Sequence, residues 1–154
     1  MTYNFSAIIQ TPLSNIGFIT CNDKLQAVQF VSQKPIAPKT TFDKCVARQL
    51  TQYFKRATLE FNLPLQLIGT PFQQRVWRAL QQIKPGETAT YGALAKRLKT
   101  SPRAIGNACR ANPITLIVPC HRVVAKHHDG GYSGQTTGKL MEMKRWLLNY
   151  ERRD

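Results

Sequence analysis

The chain changes its hydrophobic period near residue 66, and this change limits the folds that it can adopt. Before that point, the short apolar runs FSAII, NIGFIT and LQAVQFV are separated by TPLSN and CNDK. This pattern predicts strands joined by hairpins in an antiparallel meander. Beyond that point, apolar residues recur at the spacing of helices. The sequence therefore predicts an α+β fold in which a small antiparallel sheet precedes a mostly helical part.

One helix belongs to the first part of the chain. The stretch TFDKCVARQLTQYF predicts a helix that covers one face of the sheet, because its apolar residues are four apart: Phe42, Val46, Leu50 and Phe54. The next stretch, EFNLPLQLIGTP, has two prolines and one glycine around an extended segment. We therefore predict two domains, a sheet-and-helix domain over residues 1–65 and a second domain over residues 66–154.

The second part begins with a strong signal for the start of a helix. Thr70 and Gln73 have the spacing of a capping box, and Pro71 stands between them at the first helical position. An apolar stripe follows and ends before KPG: Phe72, Val76, Leu80 and Ile83. We predict an amphipathic helix over this stretch.

Two shorter helices follow in a basic segment. Thr90 can cap YGALAKRL, and Ser101 with Pro102 can open RAIGNACR after a turn of about four residues. This arrangement predicts a helix-turn-helix, the alternative being two packed helices with no role in DNA binding. The second helix carries small side chains at Ala104, Gly106 and Ala108, which suits insertion into a narrow groove. Arg103 and Arg110 bracket this helix with positive charge.

The composition points to a polyanionic partner. The chain has 22 Lys and Arg against 8 Asp and Glu, a formal charge of +14, and most of the excess follows residue 67. Solubility is the competing explanation. No apolar run approaches the length of a membrane span and no charged leader precedes an apolar segment, so we predict no membrane and a cytoplasmic protein, nuclear if the source is eukaryotic.

The cysteines are expected to be free thiols in a reducing compartment, and the sequence predicts no metal site. No CxxC motif occurs, and the histidines are few: His121, His127 and His128. In IVPCHRVV, Cys120 lies between an apolar run and a His-Arg pair. The residues by themselves leave three interpretations of this cysteine open, namely inert core, metal ligand and nucleophile.

A nucleophilic cysteine needs a base, and the base needs an orienting group. His121 is adjacent to Cys120, but consecutive residues of an extended segment point to opposite sides, so a turn or a bridging water would have to connect them. The last helical stretch, KLMEMKRWLLNYERR, places Glu151 on the same face as Leu140, Met143 and Leu147. Glu151 is therefore a candidate orienting carboxylate, the alternative being a surface glutamate at a frayed terminus.

Several motifs together resemble the O6-alkylguanine-DNA alkyltransferase family. These are TPFQQRVW, TYGALA, SPRAIGNACRANP, PCHRVV, GGYSG and KRWLLNYE, which cover residues 70–154, whereas the first 65 residues fit the family in size and element order. The resemblance implies a DNA repair protein that flips an alkylated guanine out of the duplex and takes the alkyl group onto its own cysteine. O4-alkylthymine is a second implied substrate.

The resemblance also implies roles for individual residues. Cys120 is the acceptor thiol, His121 the base that reaches it through water, Glu151 the carboxylate that orients the histidine, Asn112 the brace of the active-site turn, and Tyr91 the group that contacts the DNA phosphate and guanine N3. The implied DNA-binding residues are Arg103, which fills the space of the flipped base, and Tyr91, Ala104, Gly106 and Arg110. The implied substrate pocket contains Tyr132, Ser133, Val123 and Lys144.

The same resemblance implies a monomer that binds double-stranded DNA through the minor groove and needs no cofactor. The N-terminal part has no histidine, so the zinc site of some relatives is not carried over. Two alternatives lack the transfer step: a lesion-binding alkyltransferase-like protein, and a helix-turn-helix regulator. The former class lacks the cysteine of PCHR, so Cys120 argues against it.

Overall fold

The computed structural model describes residues 4–126 and 138–152. Its first part is an antiparallel sheet in the order β1 (Ala7–Ile9), β2 (Asn15–Cys21) and β3 (Lys24–Val31). The register pairs Ala7 with Phe18 and Ile16 with Phe30, and it shifts between Ile19 and Thr20. The predicted hairpin meander is confirmed.

Helix α1 (Thr41–Tyr53) follows the sheet and begins at Thr40, whose side chain accepts a hydrogen bond from the amide of Asp43. Val46 and Leu50 are fully buried, as the stripe with a four-residue spacing predicted. Phe42 and Phe54, at the two ends of the stripe, are partly buried against the same core.

The second part contains α2 (Pro71–Gln81), β4 (Ala89–Thr90), α3 (Tyr91–Arg97), α4 (Pro102–Arg110), a 3-10 turn (Cys120–Arg122), β5 (Val123–Val124) and α5 (Lys139–Glu151). The capping box of Thr70 and Gln73 is formed in both directions. Thr90 and Ser101 cap α3 and α4 through their side chains. The α+β fold with a helix-turn-helix pair, α3 and α4, is confirmed.

Strand β3 connects the two parts of the chain through its outer edge. The amide of Leu25 donates to the carbonyl of Pro64, and the amide of Val28 donates to the carbonyl of Pro113, at 2.9 and 3.0 Å. These contacts tie the segment around residue 65 and the loop after α4 to the sheet. The division into two domains at residue 66 stays a prediction, although one continuous apolar core extends across this position.

Over residues 4–126 and 138–152, no helix combines the length and apolarity that a membrane span requires. In the same part of the chain, no group of three or more His, Cys, Asp and Glu side chains is arranged to hold a metal ion.

Candidate active site

Asn112 organises the loop that joins α4 to the 3-10 turn. Its Oδ1 accepts a hydrogen bond from the amide of Ile114 at 2.9 Å, and its Nδ2 donates to the carbonyl of Val118 at 2.8 Å. The same Nδ2 lies 3.3 Å from Sγ of Cys120. One amide side chain therefore fixes both ends of the loop and contacts the thiol.

The loop also contains a residue in a left-handed backbone conformation. Leu116 has a φ of 77°, which costs a residue with a Cβ on the order of 1 kcal/mol. Its side chain is nonetheless buried in the core at 1% exposure. Burial of this leucine offsets the backbone cost and keeps the loop in a single path towards Cys120.

Cys120 begins the 3-10 turn and is buried. Burial raises the pKa of its thiol, while the hydrogen bond from Asn112 and the positive charge of Lys144 act in the opposite direction. The thiol is therefore protonated in the resting protein, and its reaction as a nucleophile requires transfer of the proton to a base.

His121 is the nearest base in sequence and is fully buried beside Cys120. The 3-10 turn, rather than an extended segment, allows both side chains to be buried. His121 Nε2 lies 3.0 Å from Oε2 of Glu151. Because an ionised carboxylate can only accept, Nε2 carries the proton and Nδ1 carries the lone pair. Among the described residues, Nδ1 is buried without a hydrogen-bond partner.

Glu151 is buried at the end of α5, so of the two interpretations that the sequence left open, the inward-facing carboxylate is correct and the frayed surface glutamate is wrong. Arg122 donates to this carboxylate through Nε at 2.9 Å and Nη2 at 2.7 Å. The hydroxyl of Tyr53 donates to Oε2 at 2.7 Å. Although burial alone raises the pKa of Glu151, the contacts with His121 and Arg122 lower it to about 2.

Sequence reasoning missed Arg122 and Tyr53. Arg122 had a usable signal, since it stands next to the Cys-His pair and a buried carboxylate requires a cation. It also donates through Nη1 to the carbonyl of Ile83 at 2.6 Å, which ties the end of α2 to the site. Tyr53 had no local signal, because it lies 98 residues from Glu151 along the chain.

Burial also tunes the base. The pKa of His121 is lowered by burial, and the charges of Arg122 and Lys144 act in the same direction, against the attraction of Glu151. We therefore describe His121 as neutral at neutral pH, with Glu151 ionised and balanced by Arg122. A neutral histidine with a free Nδ1 lone pair can accept a proton.

Lys144 is a buried cation in the same region. Its Nζ donates to the carbonyl of Val123 at 2.7 Å and lies 5.8 Å from the ring centroid of Tyr91. Val123 itself is buried. Lys144 and Val123 are thus in mutual contact close to the 3-10 turn. The other predicted pocket residues, Tyr132 and Ser133, lie outside the described residues.

A short parallel ladder joins the 3-10 turn to the helix-turn-helix. Ala89 pairs with Val123 and Thr90 with Val124. Tyr91 is the next residue after Thr90 and the first of α3. The ladder therefore joins the start of the helix-turn-helix to the strand that directly follows the 3-10 turn of Cys120.

The outer face of helix α4 carries basic side chains and small ones. Arg103 and Arg110 are exposed, and Ala104 and Gly106 are half-buried. Apart from its two chain neighbours and the backbone of its own helix, a Cβ added at Gly106 would meet no described atom within 4 Å. Ala108 corrects the sequence interpretation, because it faces the core at 2% exposure and does not belong to the outer face.

Cys109 provides an internal comparison for the acceptor candidate. All four cysteines are free thiols. Burial raises the pKa of Cys109 to about 12, and the proximity of Cys120 adds to the effect. Unlike Cys120, it has no amide donor recorded on its sulfur among the described contacts. Burial therefore raises the pKa of both thiols, and the contact with the Asn112 amide is what distinguishes Cys120 from Cys109.

The chain is similar to known proteins over most of its length. The family model "6-O-methylguanine DNA methyltransferase, DNA binding domain" matches residues 71–153. A probable methylated-DNA–protein-cysteine methyltransferase of Acanthamoeba polyphaga mimivirus is 40% identical over 152 residues, which are 96% of this chain and 96% of that protein.

Solved structures of the same kind share the fold over nearly the whole chain. The O6-methylguanine methyltransferase of Mycobacterium tuberculosis superposes with a TM-score of 0.79 at 34% identity, covering 94% of this chain and 90% of that one. The protein from that organism in complex with DNA also gives a TM-score of 0.79, at 33% identity, covering 94% and 91%. The match of the family model and the near full-length relative show that this chain belongs to the family of methylated-DNA–protein-cysteine methyltransferases.

Proposed function

We propose that this chain repairs O6-alkylguanine in duplex DNA by transferring the alkyl group to Sγ of Cys120, in a reaction that each molecule performs once. One observation carries the assignment of the acceptor. Cys120 is a buried thiol that contacts an amide donor, Asn112, and is adjacent to a buried His121–Glu151 pair. Family membership supports alkyl transfer from methylated DNA to a cysteine of the protein.

The chemistry is a displacement at the alkyl carbon. The thiol proton moves to Nδ1 of His121, through a bridging water, and the thiolate attacks the carbon attached to O6. The new bond joins Sγ to that carbon, the bond between carbon and O6 breaks, and its electron pair remains on the guanine. Tyr91 is the candidate donor of a proton to guanine N3, which makes guanine a better leaving group, and the proton taken up by His121 then returns to the Tyr91 phenolate through solvent.

Two buried charged residues favour the proton transfer and the thiolate. Glu151 accepts a hydrogen bond from Nε2–H of His121. This bond fixes the tautomer in which Nδ1 is unprotonated and can accept the thiol proton. Lys144 contributes a positive charge that favours the thiolate. The thioether product has no charge and no acidic proton, so nothing in this set of residues regenerates the thiol, and one alkyl group per molecule is the expected limit.

The DNA-binding part of the proposal rests on α4. Its exposed Arg103 can occupy the place of an extruded base in the stack. The small size of Ala104 and Gly106 allows the helix backbone to approach the floor of the minor groove closely. Arg110 is available for a phosphate. The proposed partner is double-stranded DNA bound by a monomer, and the excess of basic residues favours that association.

Intact mass spectrometry tests the proposal directly. The full chain is incubated with excess duplex that contains one O6-methylguanine, and peptide mapping then locates the modification. We expect one methyl group per molecule, on Cys120, and complete loss in Cys120→Ala with DNA binding retained. Cys109→Ala is the matched control and should transfer normally. Methylation of another cysteine in Cys120→Ala, or a second turnover, would contradict the assignment. A duplex with O4-methylthymine tests the second substrate.

A further inference from the structure

We propose that Tyr53, on helix α1 of the N-terminal part, is a positioning residue for alkyl transfer: its hydroxyl holds Glu151 so that His121 stays a neutral proton acceptor. This inference rests on the proposed function and extends it to a part of the chain that lies outside the residues matched by the family model. It assigns a chemical role to the N-terminal part, beyond folding.

The hydroxyl of Tyr53 is held in one place by its surroundings. The residue is fully buried, and its ring contacts those of Phe54, Phe61 and Tyr150 at centroid distances of 5.0, 5.5 and 5.5 Å. The hydroxyl of Tyr150 donates to the backbone carbonyl of Tyr53. Rings packed on several sides leave the side chain no alternative rotamer without opening a cavity. The 2.7 Å contact with Glu151 is therefore built into the core.

This hydroxyl can only act as a donor to Glu151. Burial, together with the negative charge of Glu151, raises the pKa of Tyr53 well above its ordinary value, so the phenol keeps its proton. Among the described residues, Oε2 of Glu151 thus receives three donors: Tyr53 at 2.7 Å, Arg122 at 2.7 Å and His121 at 3.0 Å. The contact from the tyrosine is shorter than the contact from the histidine that the carboxylate orients.

The three donors compete for the same negative charge. A carboxylate that accepts strong hydrogen bonds from Tyr53 and Arg122 attracts a second proton on His121 less strongly than an unsatisfied carboxylate would. Within the part of the chain that the structure describes, the other charges near His121 are Arg122 from its own turn and Lys144 from α5, and both disfavour the imidazolium. Glu151 is the group that favours it. Tyr53 therefore shifts the balance towards the neutral histidine, which the transfer reaction needs.

The test is Tyr53→Phe, which removes one hydroxyl and keeps the ring. Tyr150→Phe is the matched control, because its hydroxyl donates within the same aromatic cluster to a backbone carbonyl rather than to Glu151. The single-turnover rate is measured with free O6-benzylguanine, so that DNA binding does not enter, across a range of pH. Titration of the His121 ring is followed by NMR in the same variants.

We expect the His121 titration to move to higher pH in Tyr53→Phe and to stay in place in Tyr150→Phe. The transfer rate should fall at least about threefold at the acid end of the pH range and less than about twofold near pH 8.5, because raising the pH restores the neutral base. An equal loss at every pH, or an unmoved His121 titration, would overturn the role and leave Tyr53 as a packing residue.

A second variant decides the matter if Tyr53→Phe does not fold. Site-specific incorporation of 3-fluorotyrosine at position 53 keeps the hydroxyl and makes it a stronger donor, so the His121 titration should move to lower pH. An unmoved titration in the folded fluorinated protein would also overturn the inference. Failure of the proposed function is separate: in that case the wild-type chain would not alkylate Cys120, whereas the His121 titration would still report on Tyr53.

Discussion

Nδ2 of Asn112 donates to the carbonyl of Val118 and lies 3.3 Å from Sγ of Cys120, so a single amide both shapes the loop and touches the thiol. A hydrogen bond to sulfur favours the thiolate over the thiol. The loop conformation and the reactivity of Cys120 therefore depend on the same side chain.

Asn112→Ala is expected to slow transfer to Cys120 by about 10- to 100-fold, because a hydrogen bond to a charged group contributes about 1.5–3 kcal/mol. Loss of the bonds to Val118 and Ile114 should also lower the free energy of unfolding by about 1–3 kcal/mol. Asn112→Asp replaces the donor with an acceptor near the thiolate and should transfer more slowly than Asn112→Ala. Rates with O6-benzylguanine and urea unfolding measure the two effects. Faster transfer in Asn112→Asp than in Asn112→Ala would argue against the contact with sulfur.

We predict that Arg103 stabilises the duplex with the base extruded, in addition to contributing to DNA affinity. Arg103→Ala should slow transfer from duplex far more than transfer from free O6-benzylguanine, because only the duplex must lose base stacking, at a few kcal/mol. Arg110→Ala is the matched control on the same helix, and we expect it to weaken all duplex binding and reduce the salt slope by about one. Equal losses on both substrates in Arg103→Ala would remove the base-extrusion role.

We predict that the absence of a side chain at Gly106 is required for DNA binding and not for folding. Because a Cβ there has open space, Gly106→Ala should raise the free energy of unfolding by up to about 1 kcal/mol through helix propensity. Gly106→Leu should fold equally well and weaken duplex binding at least about tenfold, by blocking close approach to the groove. Binding by fluorescence anisotropy and thermal unfolding separate the two effects. Full duplex affinity in Gly106→Leu would show that this face does not enter the groove.

The stability of the protein is predicted to fall in acid in two steps. Burial lowers the pKa of His121, so the unfolded chain takes up a proton at a higher pH than the folded chain does. This contribution is present above about pH 6.5 and is lost as the pH falls through the folded value. Glu151 has its pKa lowered from 4.5 to about 2, so its contribution is lost between these values. Urea unfolding across this pH range measures both steps.

Glu151→Gln tests the second step. It leaves Arg122 buried without its carboxylate, so the free energy of unfolding at neutral pH should fall by about 3–5 kcal/mol. The acid step between about pH 4.5 and 2 should become smaller. Glu142→Gln, an exposed glutamate on the same helix, is the control and should leave both quantities nearly unchanged. A similar acid profile in both variants would mean that Glu151 is not the titrating group.

Local patterns determined the elements of this fold. The capping signals at Thr70, Thr90 and Ser101 and the apolar stripes of α1 and α2 act over one or two turns of chain, so they can be read without knowledge of the rest of the molecule. The helical phase of Glu151 with Leu147 made burial one of two open interpretations, and only packing decided in its favour. The family resemblance was carried by contiguous motifs, which are also local.

Only the tertiary structure decided what surrounds Glu151. Its partners are Tyr53, 98 residues earlier, and His121 and Arg122, about 30 residues earlier. A buried carboxylate requires donors, but its own sequence neighbourhood does not specify which distant side chains supply them. The prediction that Ala108 lies on the outer face of α4 was also wrong for a non-local reason. Packing against α2 and α3 selected which small residues of α4 face the core. Residue type and period determined the helices and strands, whereas packing determined which side chains meet.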